Sequence, residues 1–145
     1  RQRQMCKETE HEEKVHFFAS VDNPLLNKEN ISLKELCTED FVLTESNMSY
    51  RKLLNNELAA QSLEIYPILE IGNPLQICSL IKNSKMISFL PDFITEDYYN
   101  SGEIKHLSVN DCDVSVWTQL LIHKNKWKSP ALNAFIDFYR DVIRK

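Results

Sequence analysis

The chain has 145 residues, 43% of them hydrophobic and 26% charged, which suits one soluble globular domain with a real core. A formal net charge of -4 gives no basic footprint for nucleic acid, and two glycines argue against phosphate-cradling loops and hairpin repeats. Cys6, Cys37, Cys78 and Cys112 are widely spaced without a C-x-x-C pair, which excludes a disulfide framework and zinc-finger spacing. They are expected to be reduced thiols of a cytoplasmic protein, with Cys37 and Cys78 in the core. No apolar run reaches ~18 residues, so no membrane span is expected. No apolar stretch follows Arg1-Gln2-Arg3-Gln4 as it would in a signal peptide. The first residue is not Met, and a piece of a longer protein is expected.

Residues 1–13 are polar and charged as far as Glu10-His11-Glu12-Glu13 and read as a solvated lead-in. A metal site on His11 is the competing reading, but nothing later supplies matching ligands, and no metal is expected. Val15 to Val21 is a strand candidate, broken by the corner Asp22-Asn23-Pro24-Leu25. Ser32 with Glu35 makes a capping box for a short helix through Leu36. Phe41 to Thr44 is the next strand. After the polar loop Glu45-Ser46-Asn47-Met48, Ser49 is the predicted cap of a helix from Tyr50 to about Gln61, with Leu53, Leu54 and Leu58 at helical spacing.

Ile65 to Leu69 is a strand candidate despite Pro67, which suits an edge. Gly72-Asn73-Pro74 opens another helix, with Asn73 as cap and Pro74 in the first turn. That helix ends near Lys82, the chain turns through Asn83-Ser84-Lys85, and Met86 to Leu90 form a short buried strand stopped by Pro91. Asp92 is the predicted cap of a helix to Asn100, closed by Ser101 and a left-handed Gly102. Ile104 to Val109 and Val114 to His123 are strand candidates, the latter predicted longest and central. Ser129 and Pro130 start the last helix. Leu132, Phe135, Ile136, Tyr139, Val142 and Ile143 give it one apolar face, and Phe135, Ile136 and Tyr139 are expected to be buried. Strand–helix alternation from Phe41 to Val109 predicts a mixed, mainly parallel sheet there, with helices on both faces.

Three stretches in this order carry a family resemblance. The run Leu80 to Pro91 resembles the helix-Gly-x-Gly-Ile-x-x-Leu-Pro segment of the effector-binding domain of LysR-type transcriptional regulators. Ile87, Leu90 and Pro91 match, whereas Ser84 and Met86 stand where the family usually has glycines. The Asp22 to Leu25 corner resembles that family's His/Asn-Pro-Leu corner, and Ser129 to Phe138 resembles its closing helix. The resemblance implies a two-lobed, periplasmic-binding-protein-like (type 2) α/β domain whose first lobe is only partly present. Residues 1–20 would be lead-in and first hinge strand, 21–113 the second lobe, and 114–145 the return hinge strand and closing helix. It further implies a non-enzymatic sensor that binds a small-molecule effector between lobes. Such a sensor would pair as a homodimer or tetramer and control DNA through a winged helix-turn-helix absent from this chain.

Two helix starts follow strand ends and offer free N–H groups beside hydroxyl and amide side chains. They make Thr44, Ser46, Asn47, Ser49 and Asn73 the candidate effector-binding residues, although Ser49 and Asn73 can equally serve only as caps, and Glu45 would oppose an anion. Phe18, Ala19, Trp117 and Thr118 are the candidate hinge residues. No catalytic residue is expected: Ser46, Ser49 and Cys37 have no His/Asp partner at motif spacing, and G-x-S-x-G is absent. His106 and His123 lie in strand patterns and read as structural histidines, and Trp117 and Trp127 as core or rim. No cofactor is implied. The alternative function is a fragment of a solute-binding protein of the same architecture. A helix-turn-helix upstream would favour the regulator, and a signal peptide or lipoprotein Cys upstream would favour the transporter component.

Overall fold

The computed structural model describes residues 5–143. They fall into two compact units, a larger one from Glu13 to Val116 and a smaller one made by the chain up to Glu12 and from Trp117 onward. In order, the elements are β1 (Met5–Ser20), a 3-10 turn (Pro24–Asn27), α1 (Leu33–Leu36), β2 (Val42–Leu43), α2 (Ser49–Ala60) and β3 (Leu69–Glu70). Then come α3 (Pro74–Ile81), β4 (Ser88–Pro91), α4 (Asp92–Asn100), β5 (Ile104–His106), β6 (Val114–His123) and α5 (Pro130–Ile143). Among the described residues no helix is long and apolar enough to cross a membrane.

The larger unit is built around the second half of β1. Val15, Phe17, Phe18 and Ala19 are all at most 5% exposed, and the strand pairs antiparallel on both sides. Phe17 faces Phe89 of β4, and Phe18 faces His106 of β5. A strand with two neighbours and two covered faces must be apolar throughout, which the Val-x-Phe-Phe-Ala run supplies. Beyond β4 the sheet continues through a parallel bridge. Val42 N–H donates to the Ile87 carbonyl at 3.0 Å and Ile87 N–H to the Asp40 carbonyl at 2.9 Å. β2 then pairs parallel with β3, Val42 facing Leu69. Between residues 41 and 109 the strand-to-strand pairings are therefore parallel, as expected, and β1 supplies the antiparallel component.

The two family-like stretches of this unit are bonded to each other. Asn23 of the Pro-Leu corner donates from Nδ2 to the Lys85 carbonyl at 3.1 Å, and its Oδ1 accepts from Leu25 N–H at 2.9 Å. Ser20 Oγ donates to the Lys82 carbonyl at 3.0 Å. The α3–β4 turn, without the glycines usual in the family, is thus held by side chains of the corner.

Several expectations need correction. The strand predicted from Val15 begins at Met5, so the described part of the lead-in is strand, while residues 1–4 lie outside the described residues. β1, at 16 residues, is therefore longer than β6, at 10. Charges that read as solvated have partners in the smaller unit. Glu8 is an ion-pair partner of Lys128 and of Arg140 (3.2 Å), and its side chain is only 12% exposed. Glu10 accepts from Gln119 at 3.2 Å. The Ile65 to Leu69 strand is reduced to Leu69–Glu70, because Pro67 has no N–H and the ladder starts only where Ile68 N–H reaches the Phe41 carbonyl at 2.8 Å. Ser49 and Asp92 are first helical residues; the caps are Met48 and Pro91, without side-chain cap bonds. Ser32, Asn73 and Ser129 do accept from Glu35, Leu75 and Leu132 N–H groups, and Gly102 has φ +77. Cys37 is only half-buried, whereas Cys78 is in the core.

In α5 the expected single face splits. Ile136 is buried and Leu132, Tyr139 and Ile143 half-buried, but Phe135 is 53% and Val142 52% exposed. At about 100° per residue, Leu132, Ile136, Tyr139 and Ile143 fall within about 60° of one another, whereas Phe135 and Val142 lie about 100–120° round from Ile136, so the apolar arc is too wide for all of it to turn to one neighbour. Ile136→Ala should therefore destabilise the chain by ~2–5 kcal/mol, whereas Phe135→Ala should change stability by no more than ~0.5 kcal/mol. Urea unfolding of the two variants checks this, and a Phe135→Ala loss as large as that of Ile136→Ala would contradict the split face.

Candidate functional site at the carboxyl edge of the larger unit

The register fixes which loops gather. β2, β3 and β4 run parallel, and β5 is parallel to β4 because both oppose β1. Their carboxyl ends therefore share one edge of the sheet. At that edge lie residues 44–49 leading into α2, residues 71–74 leading into α3, Asp92 at the start of α4, and His106 at the end of β5. β1 enters the unit at the same edge, with Val15 opposite Pro91, and brings His16 there. Ligands of open α/β sheets bind at this edge, where helix N-termini and strand ends converge.

The two predicted loops meet. Ile71 N–H donates to the Leu43 carbonyl at 3.0 Å. A Cβ on Gly72 would sit 3.2 Å from Glu45 Oε1, the end of an exposed side chain that a small shift would clear. Ser46, Asn47, Ser49 and Asn73 are exposed, and Asn73 spends its Oδ1 on the Leu75 N–H at 3.0 Å. Thr44 differs. It is 1% exposed and lies beside the buried Tyr50 hydroxyl, but the two form no well-aligned hydrogen bond and neither has another partner. Burial pushes the Tyr50 phenol up, with the Thr44 hydroxyl acting in the opposite direction.

Arg51 holds the base of the first loop, and the residue pattern gave no sign of it. Its side chain is 7% exposed. One guanidinium nitrogen donates to the Thr44 carbonyl at 2.9 Å, Nε donates to Asn55 at 3.2 Å, and Glu70 lies 3.4 Å away. A planar fork of donors suits this three-way role, which a lysine could not fill. An arginine in the first turn of a helix otherwise reads as a solvated charge.

A second cluster at the edge was also not legible. His16 Nδ1 lies 2.6 Å from Asp92 Oδ1, and His106 Nε2 lies 3.5 Å from the same oxygen. The two imidazoles stack with centroids 4.2 Å apart, and Tyr99 and Phe18 pack on His106 at 4.7 and 4.6 Å. Burial lowers the His106 pKa, the nearby His16 lowers it further, and Asp92 opposes both. Beside the cluster is a cavity of about 320 Å³ lined in part by Glu13, Asp92, Phe93, Glu96, Tyr99 and His106. His106, expected to be a structural histidine, is packed among His16, Phe18 and Tyr99. Of the hinge candidates, Phe18 and Ala19 are fully buried inside the larger unit, and Trp117 and Thr118 are exposed on β6 in the smaller one.

An α/β chain with a carboxyl-edge cleft and an antiparallel central strand is a binding-protein architecture. The chain matches the LysR substrate binding domain family over residues 6–144, and it belongs to that family. It is 34% identical over 139 residues to an uncharacterized HTH-type transcriptional regulator, YwqM, of Bacillus subtilis strain 168. That match covers 92% of this chain and 45% of the relative, so the chain spans just under half the length of that regulator. Among solved structures it resembles the CcmR regulatory domain of Synechocystis PCC6803 in complex with 2-PG, with TM-score 0.84, 20% identity and coverage of 98% and 68%. It also resembles the effector-binding domain of QuiR in complex with shikimate, with TM-score 0.78, 18% identity and coverage of 98% and 66%. The fold is the type 2 periplasmic-binding-protein-like α/β fold expected from the sequence.

The orphan hydroxyl of Thr44 generates a direct test. A buried unsatisfied hydroxyl costs ~1–3 kcal/mol, so Thr44→Val, which keeps the shape, should leave the ligand-free chain as stable or more stable. Thermal melting measures this. A drop in Tm equivalent to ~1 kcal/mol or more would mean that the hydroxyl has a partner in the folded protein.

Proposed function

We propose that this chain is the effector-sensing part of a LysR-type transcriptional regulator, non-enzymatic and cytoplasmic. In this reading a small-molecule effector docks at Thr44, Ser46, Asn47, Ser49 and Asn73 and controls DNA binding by a separate winged helix-turn-helix. The observation that carries it is the family match over residues 6–144. The juxtaposed loops at the carboxyl edge support the location, and neighbours of the same fold hold 2-PG and shikimate. The solute-binding-protein alternative is not favoured, because the matches are to regulators. A homodimer or tetramer is the assembly we expect of the intact regulator.

Transmission would run through β1 and β6, the two strands that belong to both units. Phe18 and Ala19 are held by neighbours on both sides, so bending is better assigned to the stretches around Glu12 and around Trp117 and Thr118. A coupling of ~1–3 kcal/mol suffices for a several-fold to ~100-fold change in DNA affinity.

The test uses a panel of small polar metabolites that includes 2-PG and shikimate. The compound that raises Tm most is taken to calorimetry against the parent chain and a Ser46→Ala/Asn73→Ala variant. Loss of two hydrogen bonds of ~0.5–1.5 kcal/mol each should weaken binding by about 5- to 150-fold, with circular dichroism unchanged. Undiminished affinity in the double variant would move the effector away from these loops.

A further inference from the structure

We propose that His16, Asp92 and His106 form a binding site for one divalent first-row transition ion of the zinc, cobalt and nickel group. The three residues come from three elements, β1, α4 and β5, and their ligand atoms all lie within 4.8 Å of one another. A four-coordinate ion about 2.0–2.2 Å from nitrogen and oxygen ligands holds those atoms about 3.3–3.5 Å apart. His106 Nε2 and Asp92 Oδ1, at 3.5 Å, already have that spacing. His16 Nδ1, hydrogen-bonded at 2.6 Å to the same oxygen, must withdraw by less than about 1 Å, with its ring proton carried on Nε2. Because the two rings lie face to face, 4.2 Å apart and 22° from parallel, the half-exposed His16 must also turn out of the stack so that its ring plane contains the ion.

A plain hydrogen bond needs one imidazole against the carboxylate, whereas here two converge on one oxygen. The His106 ring is braced by Tyr99 and Phe18, so it cannot turn away freely. The surroundings favour a cation. Glu13 and Glu96 join Asp92 in lining the adjoining cavity, which has no lysine or arginine in its wall. The remaining coordination position opens into that cavity, available to water or to one of those carboxylates. Two imidazoles select transition ions over magnesium and calcium, which take oxygen ligands. Thr95 Oγ1 donates to the Asp92 carbonyl at 3.0 Å, which closes the first turn of α4 that carries the carboxylate.

The site goes beyond the effector reading and is tested without any effector. The chelator-treated chain is titrated with Zn²⁺ and Mg²⁺ by calorimetry and with Co²⁺ by visible absorption. One equivalent of Zn²⁺ should bind at micromolar concentration or tighter, Co²⁺ should show the intense bands of a four-coordinate site, and Mg²⁺ should not bind. His106→Gln should weaken Zn²⁺ binding by about a hundredfold or more, since even changes outside the ligands of a metal site cost about 10- to 100-fold. Asp92→Asn, at a partly exposed position, should do the same and serves if His106→Gln does not fold. Cys6→Ser, which removes the one exposed thiol, should leave binding unchanged. No stoichiometric Zn²⁺ binding by the parent, affinity retained in the folded ligand variants, or affinity lost with Cys6→Ser would each overturn the proposal.

Discussion

The pairing of Val15–Ser20 with neighbours on both sides is the constraint on which the larger unit depends. Val15 to Phe18 pair with β4 and Phe18 to Ser20 with β5, so the antiparallel strand fixes the two halves of the sheet to each other. Phe17 packs on Phe89 and Phe41 with centroids 4.7 and 6.1 Å away, which extends its influence to the parallel part of the sheet. Phe18, on the opposite face, supports the His106 ring. Removing an aromatic residue from such a position costs ~3–5 kcal/mol, a large fraction of the stability of a domain this size.

The same strand decides, by where it enters, which residues gather at one edge of the sheet. Because β1 runs against β4, its first residues in this unit arrive at the carboxyl edge, beside the starts of α2, α3 and α4. Loop residues with exposed hydroxyl and amide groups and a histidine–carboxylate cluster therefore come to one side without being neighbours in sequence. The Arg51 contacts to Thr44, Asn55 and Glu70 give the first loop a fixed base.

Much of the fold was legible in the sequence, and the reasons are local. Asn73-Pro74, Ser32 with Glu35, Ser129-Pro130 and Gly102 each announce a helix end through backbone chemistry that the structure reproduces. The Pro-Leu corner and the α3–β4 turn carried the family resemblance, and they are bonded to one another. The failures have physical causes too. Met5 to Lys14 lacks apolar alternation because its charges are satisfied by Lys128, Arg140 and Gln119, partners more than a hundred residues away. Periodicity could not tell that α5 turns Phe135 outward, since it records the width of the apolar arc and not what covers it. The His16–Asp92–His106 cluster exists only through strand register, and the orphan hydroxyl of Thr44 only through burial. Neither leaves a spacing in the chain.

Amide hydrogen exchange tests the organising role of β1 most directly. The amides of Phe17, Phe18 and Ala19 should be among the slowest in the chain and exchange only with global unfolding, because opening them requires pulling β1 from between β4 and β5. The short β3 and the exposed turns of α5 should exchange much faster. If Phe17 to Ala19 exchanged as fast as β3, β1 would not be the element that holds the larger unit together.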